Sequence, residues 1–145
     1  MNEIQVVSHK REVERATEKA LKKAARMIGG TVAGHAVEAA PVDTGLLRNS
    51  ITFALGGENP EKTNYKSDKP DKDGNYTEGH YEGVAPEDDN NEITVYVGTN
   101  VEYAPYQELG APNINLPARP FLRPAMENFR EEIEQIIEKC CHEIN

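Results

Sequence analysis

Three groups of residues in this chain have the types and spacing for chemistry. Asp43-Thr44-Gly45 is the triplet of the aspartic proteases, where two carboxylates from two copies of a short chain would share a proton across a dimer axis. Asp71-Lys72-Asp73-Gly74 has the look of a calcium loop, and His80 between Glu78 and Glu82 offers metal-ligating side chains. None of the three has the context its chemistry needs. The protease triplet sits in a turn of an all-β domain and is followed by Ala or Ser, whereas here a long helical pattern precedes Asp43 and Leu46 follows Gly45. With Gly74 at the sixth position of a calcium loop, the first and twelfth positions fall on Lys69 and His80, so two of the strongest ligands are missing. His9, His35 and His142 form no cluster in sequence, and there is no phosphate loop, nucleophile elbow or zinc spacing. No catalytic residue, cofactor or metal is expected.

The residues around the Asp-Thr-Gly triplet have a structural reading that fits better. Asp43 is expected to accept backbone N–H groups at the start of a turn, and Gly45 to relieve backbone crowding there. A second segment, Val101-Glu102-Tyr103-Ala104-Pro105-Tyr106-Gln107-Glu108-Leu109-Gly110, has proline in the first turn and glycine just past the end, the asymmetry of a short helix. The third is Leu116-Pro117-Ala118-Arg119-Pro120-Phe121-Leu122-Arg123-Pro124-Ala125. If the fold brings Glu108 to Arg119, Arg123 and Arg48, a charged cluster fixes these loops.

The elements that position these segments follow from periodicity. From about residue 9 to residue 39, Val13, Ala16, Ala20, Ala24, Met27, Ile28, Val32 and Ala36 recur at helical steps, and Pro41 ends the run. Gly29-Gly30 weakens that helix by about 1 kcal/mol per glycine and marks a kink or a break into two. Residues 49–56 and 92–99 alternate as strands, with Ile51, Phe53 and Leu55 on one and Ile93, Val95 and Val97 on the other facing a core, and they fit an antiparallel pair. Leu122, Met126, Phe129, Ile133, Ile136 and Cys140 form a stripe on a last helix over about 121–143, with Pro124 in its first turn and glutamates outside.

Between the strands, residues 57–91 hold almost no aliphatic side chains, and ordering such a segment costs roughly 1 to 2 kcal/mol per residue. The expectation is a flexible polar excursion at a hairpin tip, whose Tyr65, Tyr76 and Tyr81 suit a segment that orders on a partner. The whole is expected to be one α+β domain over residues 1–145: a long N-terminal helix, a small antiparallel sheet with that hairpin excursion, and a C-terminal helix packed on the sheet.

Bulk properties narrow the function classes. A chain of 145 residues with 37% hydrophobic residues, 6% aromatics and no Trp supports a single modest core. Its net charge of -9 argues against general binding to nucleic acid or to an anionic membrane, both of which need surplus cations. Residues 1–26 carry seven of the sixteen basic residues against four Glu, which leaves -12 on the remainder. That positive end is a solvated helix face or a dock for an acidic surface. Cys140 and Cys141 are adjacent and suit no structural bridge, and no apolar run approaches the roughly 20 residues of a membrane span. A soluble protein made in a reducing cytoplasm is expected.

Taken in order, the helix, Pro41-Val42-Asp43-Thr44-Gly45 with Leu47-Arg48 and Ser50-Ile51, the strand ending Val97-Gly98, Tyr103-Ala104 with Glu108 and Gly110, and Pro117-Ala118-Arg119-Pro120-Phe121-Leu122-Arg123-Pro124 resemble one family. It is the gene-product-ten family of lambdoid, long-tailed bacteriophages: tail components, also described as head-tail joining or neck proteins. The resemblance runs from about residue 10 to residue 140. It implies a small α+β virion protein of the connector or tail-completion apparatus, made in the host cytoplasm, without catalytic role, forming a homo-oligomeric ring and docking to other neck, connector or tail proteins. The matching positions are Pro41, Asp43, Thr44, Gly45, Arg48, Tyr103, Glu108, Gly110, Pro117, Arg119, Pro120, Phe121 and Pro124, beside which Arg123 is expected to help hold the loops. Two other classes stay open on the residues alone: a homodimeric aspartic protease, and a toxin-antitoxin or regulatory binding module with a small soluble partner.

Overall fold

A computed structural model describes residues 2–7, 15–87 and 92–142. The start of the first helix near His9 with Val13 of its stripe, the end of the excursion at 88–91, and Glu143 lie outside the described residues, as does the Cys141 side chain. The chain runs β1 (Asn2–Val7), α1 (Arg15–Ala39), α2 (Leu46–Ser50), β2 (Thr52–Leu55), β3 (Asn64–Lys66), β4 (Glu78–His80), β5 (Glu92–Gly98), α3 (Ala104–Leu109), a 3-10 turn (Pro112–Ile114), α4 (Leu122–Glu127) and α5 (Arg130–His142). This is the expected α+β class.

The main sheet has the order β1-β5-β2, antiparallel throughout. In the β2–β5 register Phe53 faces Val97 and Leu55 faces Val95, so the alternation read from the sequence puts these side chains on the face that α1 covers. β1 was not legible beforehand: its six residues hold only Ile4 and Val6 in alternation before the final Val7, too short a pattern to separate from a loop.

α1 lies across the sheet as one continuous helix through Gly29-Gly30, so the pair does not split it into two. Packing explains it. A Cβ on Gly29 would stand 2.6 Å from the Phe53 ring and 2.7 Å from a Val95 methyl, so the bare backbone is what lets helix and sheet approach. The core gathers Ala25, Ile28, Val32 and Ala36 of α1 with Leu55, Val95, Val97 and the fully buried Phe121.

The C-terminal helix departs from expectation in two ways. It is two helices, separated by a turn at Asn128 and Phe129, and both pack mainly on α1, with α4 also reaching the sheet at β1. The physical reason is that α1 already occupies the apolar face of the sheet, so the stripe Leu122, Ile133 and Cys140 buries itself against the helix. At the turn, the Phe129 ring stacks on His35, with centroids 3.5 Å apart, and His35 Nε2 lies 2.9 Å from Glu132.

The described part of the excursion folds over the other face of the sheet. Thr52, Ala54 and Thr94 are buried there although they point away from α1. The Lys62 N–H donates to Thr52 Oγ1 at 3.0 Å, and the Glu61 N–H donates to the Phe53 carbonyl at the strand edge. Two of the three excursion tyrosines bind within the chain: Tyr65 donates to Asn100 Oδ1, and Tyr81 donates to the Ser50 carbonyl at 2.6 Å. Only Tyr76 among them stands exposed, at 61%.

Candidate interaction groove

Each of the three sequence segments arrives at one open groove of about 610 Å³. Pro41 to Leu47 form one wall, Tyr103 and Gln107 of the α3 region another, and Leu116, Pro117 and Arg119 a third, with Thr77 contributed by the excursion.

The first wall turns where α1 stops. Gly45 has φ +87, in the left-handed region, and opens α2 directly behind the turn. A Cβ there would stand 2.5 Å from an Asp68 carboxylate oxygen. Thr44, not Asp43, supplies the local bonds: its hydroxyl accepts the Leu46 N–H at 3.4 Å, and its carbonyl accepts the N–H groups of Asp68 and Lys69 at 2.8 and 3.1 Å. Asp43 was expected to accept backbone N–H groups, but its exposed carboxylate has no hydrogen bond or ion pair among the described residues. The turn is closed by other groups, which leaves that charge on the groove wall. Arg48 points away from the groove to form an ion pair with Asp68, which Asn49 also bonds at 3.0 Å. These two partners hold the Asp68 carboxyl below its ordinary range.

The second wall is α3, with Pro105 in its first turn and Gly110 just beyond it, as the residue asymmetry required. Gly110 has φ +78, and a Cβ on it would stand 2.9 Å from the Ala118 nitrogen. Burial of the Tyr103 ring raises its phenol; the Leu47 N–H opposes that shift and the nearby Asp43 charge reinforces it.

Behind the groove, Glu108 does not join the arginines. Its carboxylate accepts the backbone N–H groups of Phe121, Leu122 and Arg123 at 2.8, 2.9 and 2.9 Å. The first four N–H groups of a helix have no internal acceptor; at α4 three of them go to Glu108, and the fourth position is Pro124, which has none. The expected Glu108–arginine cluster is therefore replaced by a helix cap. Bare N–H groups at a helix start compete for a carboxylate with geometry that mobile guanidiniums do not match. Arg119 enters through its backbone, donating to the Gln107 carbonyl at 2.6 Å, and its guanidinium has no partner among the described residues.

The residues singled out in sequence thus fall into two groups. Pro41, Asp43, Thr44, Gly45, Tyr103, Pro117 and Arg119 line the groove. Glu108, Gly110, Phe121, Arg123 and Pro124 build the cap behind it, Pro120 is exposed between the groups, and Arg48 ties α2 to the excursion. Sequence reading missed the outer face of α3. Tyr106 and Leu109, three residues apart, are 56% and 70% exposed, and Ile114, in the 3-10 turn that follows in the chain, is 66% exposed. Six residues of helix are too few for a periodicity to reveal such a face.

The Asp71 motif is a self-contained turn. Its carboxylate accepts the N–H groups of Asp73 and Asn75 at 2.9 and 3.0 Å. Among the described residues no group of three or more His, Cys, Asp or Glu is arranged to hold a metal, and no helix is long and apolar enough to cross a membrane.

The family model described as "Bacteriophage HK97-gp10, putative tail-component" matches residues 5–110, which takes in the first two groove walls and ends before the third. A Methanocaldococcus jannaschii protein described as "Uncharacterized protein MJ0331" is 38% identical over 47 residues, covering 32% of this chain and 35% of that protein. The alignment thus spans about a third of the relative's length. No solved structure matches the chain.

Proposed function

Because the chain belongs to the HK97 gp10-like family of bacteriophage tail components, we propose that it works in the head-tail connector, as a neck or tail-completion protein that assembles into a ring and docks to adjacent neck or tail proteins. Its work in this reading is assembly, without catalysis, nucleic-acid binding or membrane contact, and its place is the virion. The observation that carries the reading is the outer face of α3. Tyr106 and Leu109, one helical step apart, expose large apolar side chains on a frame that the Glu108 cap and Gly110 hold in place, and Ile114 of the following turn is exposed as well. Exposed aromatic and aliphatic groups on a rigid support are the usual anchors of protein interfaces. The net charge of -9 favours protein over phosphate partners.

The test is association. Sedimentation of the purified protein, alone and with the products of neighbouring neck and tail genes, should show oligomers or complexes, and Leu109→Asp with Tyr106→Asp should weaken them without lowering thermal stability. A chain that stays monomeric at high concentration and binds none of these neighbours overturns the reading.

A further inference from the structure

The tip of the excursion is built unusually for a segment that buries nothing of its own. Residues 71–78 are all exposed, yet the turn is closed by the two bonds to the Asp71 carboxylate, by the Asp71 N–H to the Asn75 carbonyl at 2.9 Å and by the Gly74 N–H to the Asp71 carbonyl at 3.0 Å. A polar loop without apolar cover gains little by holding one shape. A loop that must enter another surface gains a great deal, because its ordering cost is removed from the binding step. The tip presents one large apolar group, Tyr76, and three charges that have no side-chain partner among the described residues, Lys72 and Asp73 at the turn and Glu78 at its end on β4.

The groove offers the complement. Its wall of Pro41, Val42, Leu46 and Leu47 is apolar, and Asp43 and Arg119 supply one free charge of each sign. In its own chain the tip does not occupy the groove: Thr77 lies on the rim, held there because its carbonyl accepts the Ser67 N–H at 2.8 Å and its N–H donates to Ser67 Oγ at 3.0 Å, while Lys72, Asp73 and Tyr76 are not among the lining residues.

We propose that the groove receives the excursion tip of a second copy of this chain, with the Tyr76 ring on the apolar wall, Lys72 against Asp43 and Asp73 against Arg119. The inference rests on the self-assembly reading above and names its contact. Opposite charges on a preorganised tip and a preorganised groove set register and exclude the wrong occupant.

Self-association of the full chain, followed by sedimentation equilibrium, tests it. Tyr76→Ala should weaken association roughly tenfold or more, as loss of an aromatic anchor does. Lys72→Asp and Asp43→Lys should each weaken it, and the two together in one chain should restore it. All three positions are exposed, so circular dichroism and melting should be unchanged, which separates lost docking from lost folding. Association that survives Tyr76→Ala and both charge reversals overturns this contact and leaves the assembly reading standing. A wild-type chain that never associates, with itself or with its neighbours, overturns both.

Discussion

Glu108 accepts the backbone N–H of Phe121 at 2.8 Å, and with the bonds to Leu122 and Arg123 this one carboxylate takes every free donor at the start of α4. The bond joins the exposed outer face of α3 to the core. Glu108 belongs to the helix that displays Tyr106 and Leu109, while Phe121 is completely buried under α1.

Loss of that cap should cost more than loss of a surface charge. Glu108→Ala is expected to destabilise the fold by about 2 kcal/mol, since it strands three donors, and Glu108→Gln, which keeps one carbonyl oxygen, by about 1 kcal/mol. Urea unfolding of the two variants against wild type measures both, and equal, negligible changes would remove the cap from this account.

The glycine pair in α1 should separate cleanly by substitution. Gly29→Ala forces a methyl into the Phe53 ring and Val95 and should destabilise by roughly 1–3 kcal/mol. Gly30→Ala meets Phe53 only at 3.7 Å, ordinary contact, and should stabilise by about 0.5–1 kcal/mol because alanine suits a helix better. The sign difference between neighbours is read from their melting temperatures.

Gly45→Ala and Gly110→Ala should each cost roughly 1–2 kcal/mol, since both positions are left-handed and both crowd a neighbour. For Gly45 the neighbour is Asp68, so this variant should also loosen the tie between α2 and the excursion. Hydrogen exchange at the Asp68 and Lys69 amides, which bond the Thr44 carbonyl, should quicken in that variant.

Alkaline pH should weaken the fold through Tyr81. Burial pushes its phenol up to about 12 from the ordinary 10.0, partly offset by hydrogen bonds from Asn100 and Thr99. The unfolded chain therefore loses this proton first. Stability from this group is complete below pH 10.0, falls as the pH rises and is gone by about pH 12. Denaturant unfolding across that range should show the decline, and Tyr81→Phe should flatten its slope while lowering stability at neutral pH through loss of the Ser50 bond. An unchanged slope would assign the alkaline loss to other groups.

Much of this was legible in local pattern. Ile93, Val95 and Val97 alternate because one face of a strand must leave water, and the α1 stripe repeats for the same reason at the helical period. Pro41, Gly45, Pro105 and Gly110 punctuate the elements where they do because each restricts or frees its own backbone angles. The family resemblance lay in the order of those punctuation marks.

Other features were decided only by distance in space. That Glu108 would choose three backbone donors thirteen to fifteen residues away over the side chains of Arg48, Arg119 and Arg123 depends on where α4 begins relative to α3. That Gly29 would sit under Phe53, that α5 would lie on α1, and that Pro41, Tyr103, Arg119 and Thr77 would share one groove depend on how finished elements pack. Backbone preference and burial of one face act within a few residues and so are written in the sequence. The pairing of remote groups is set by complementary shapes and donors that exist only once the chain has folded.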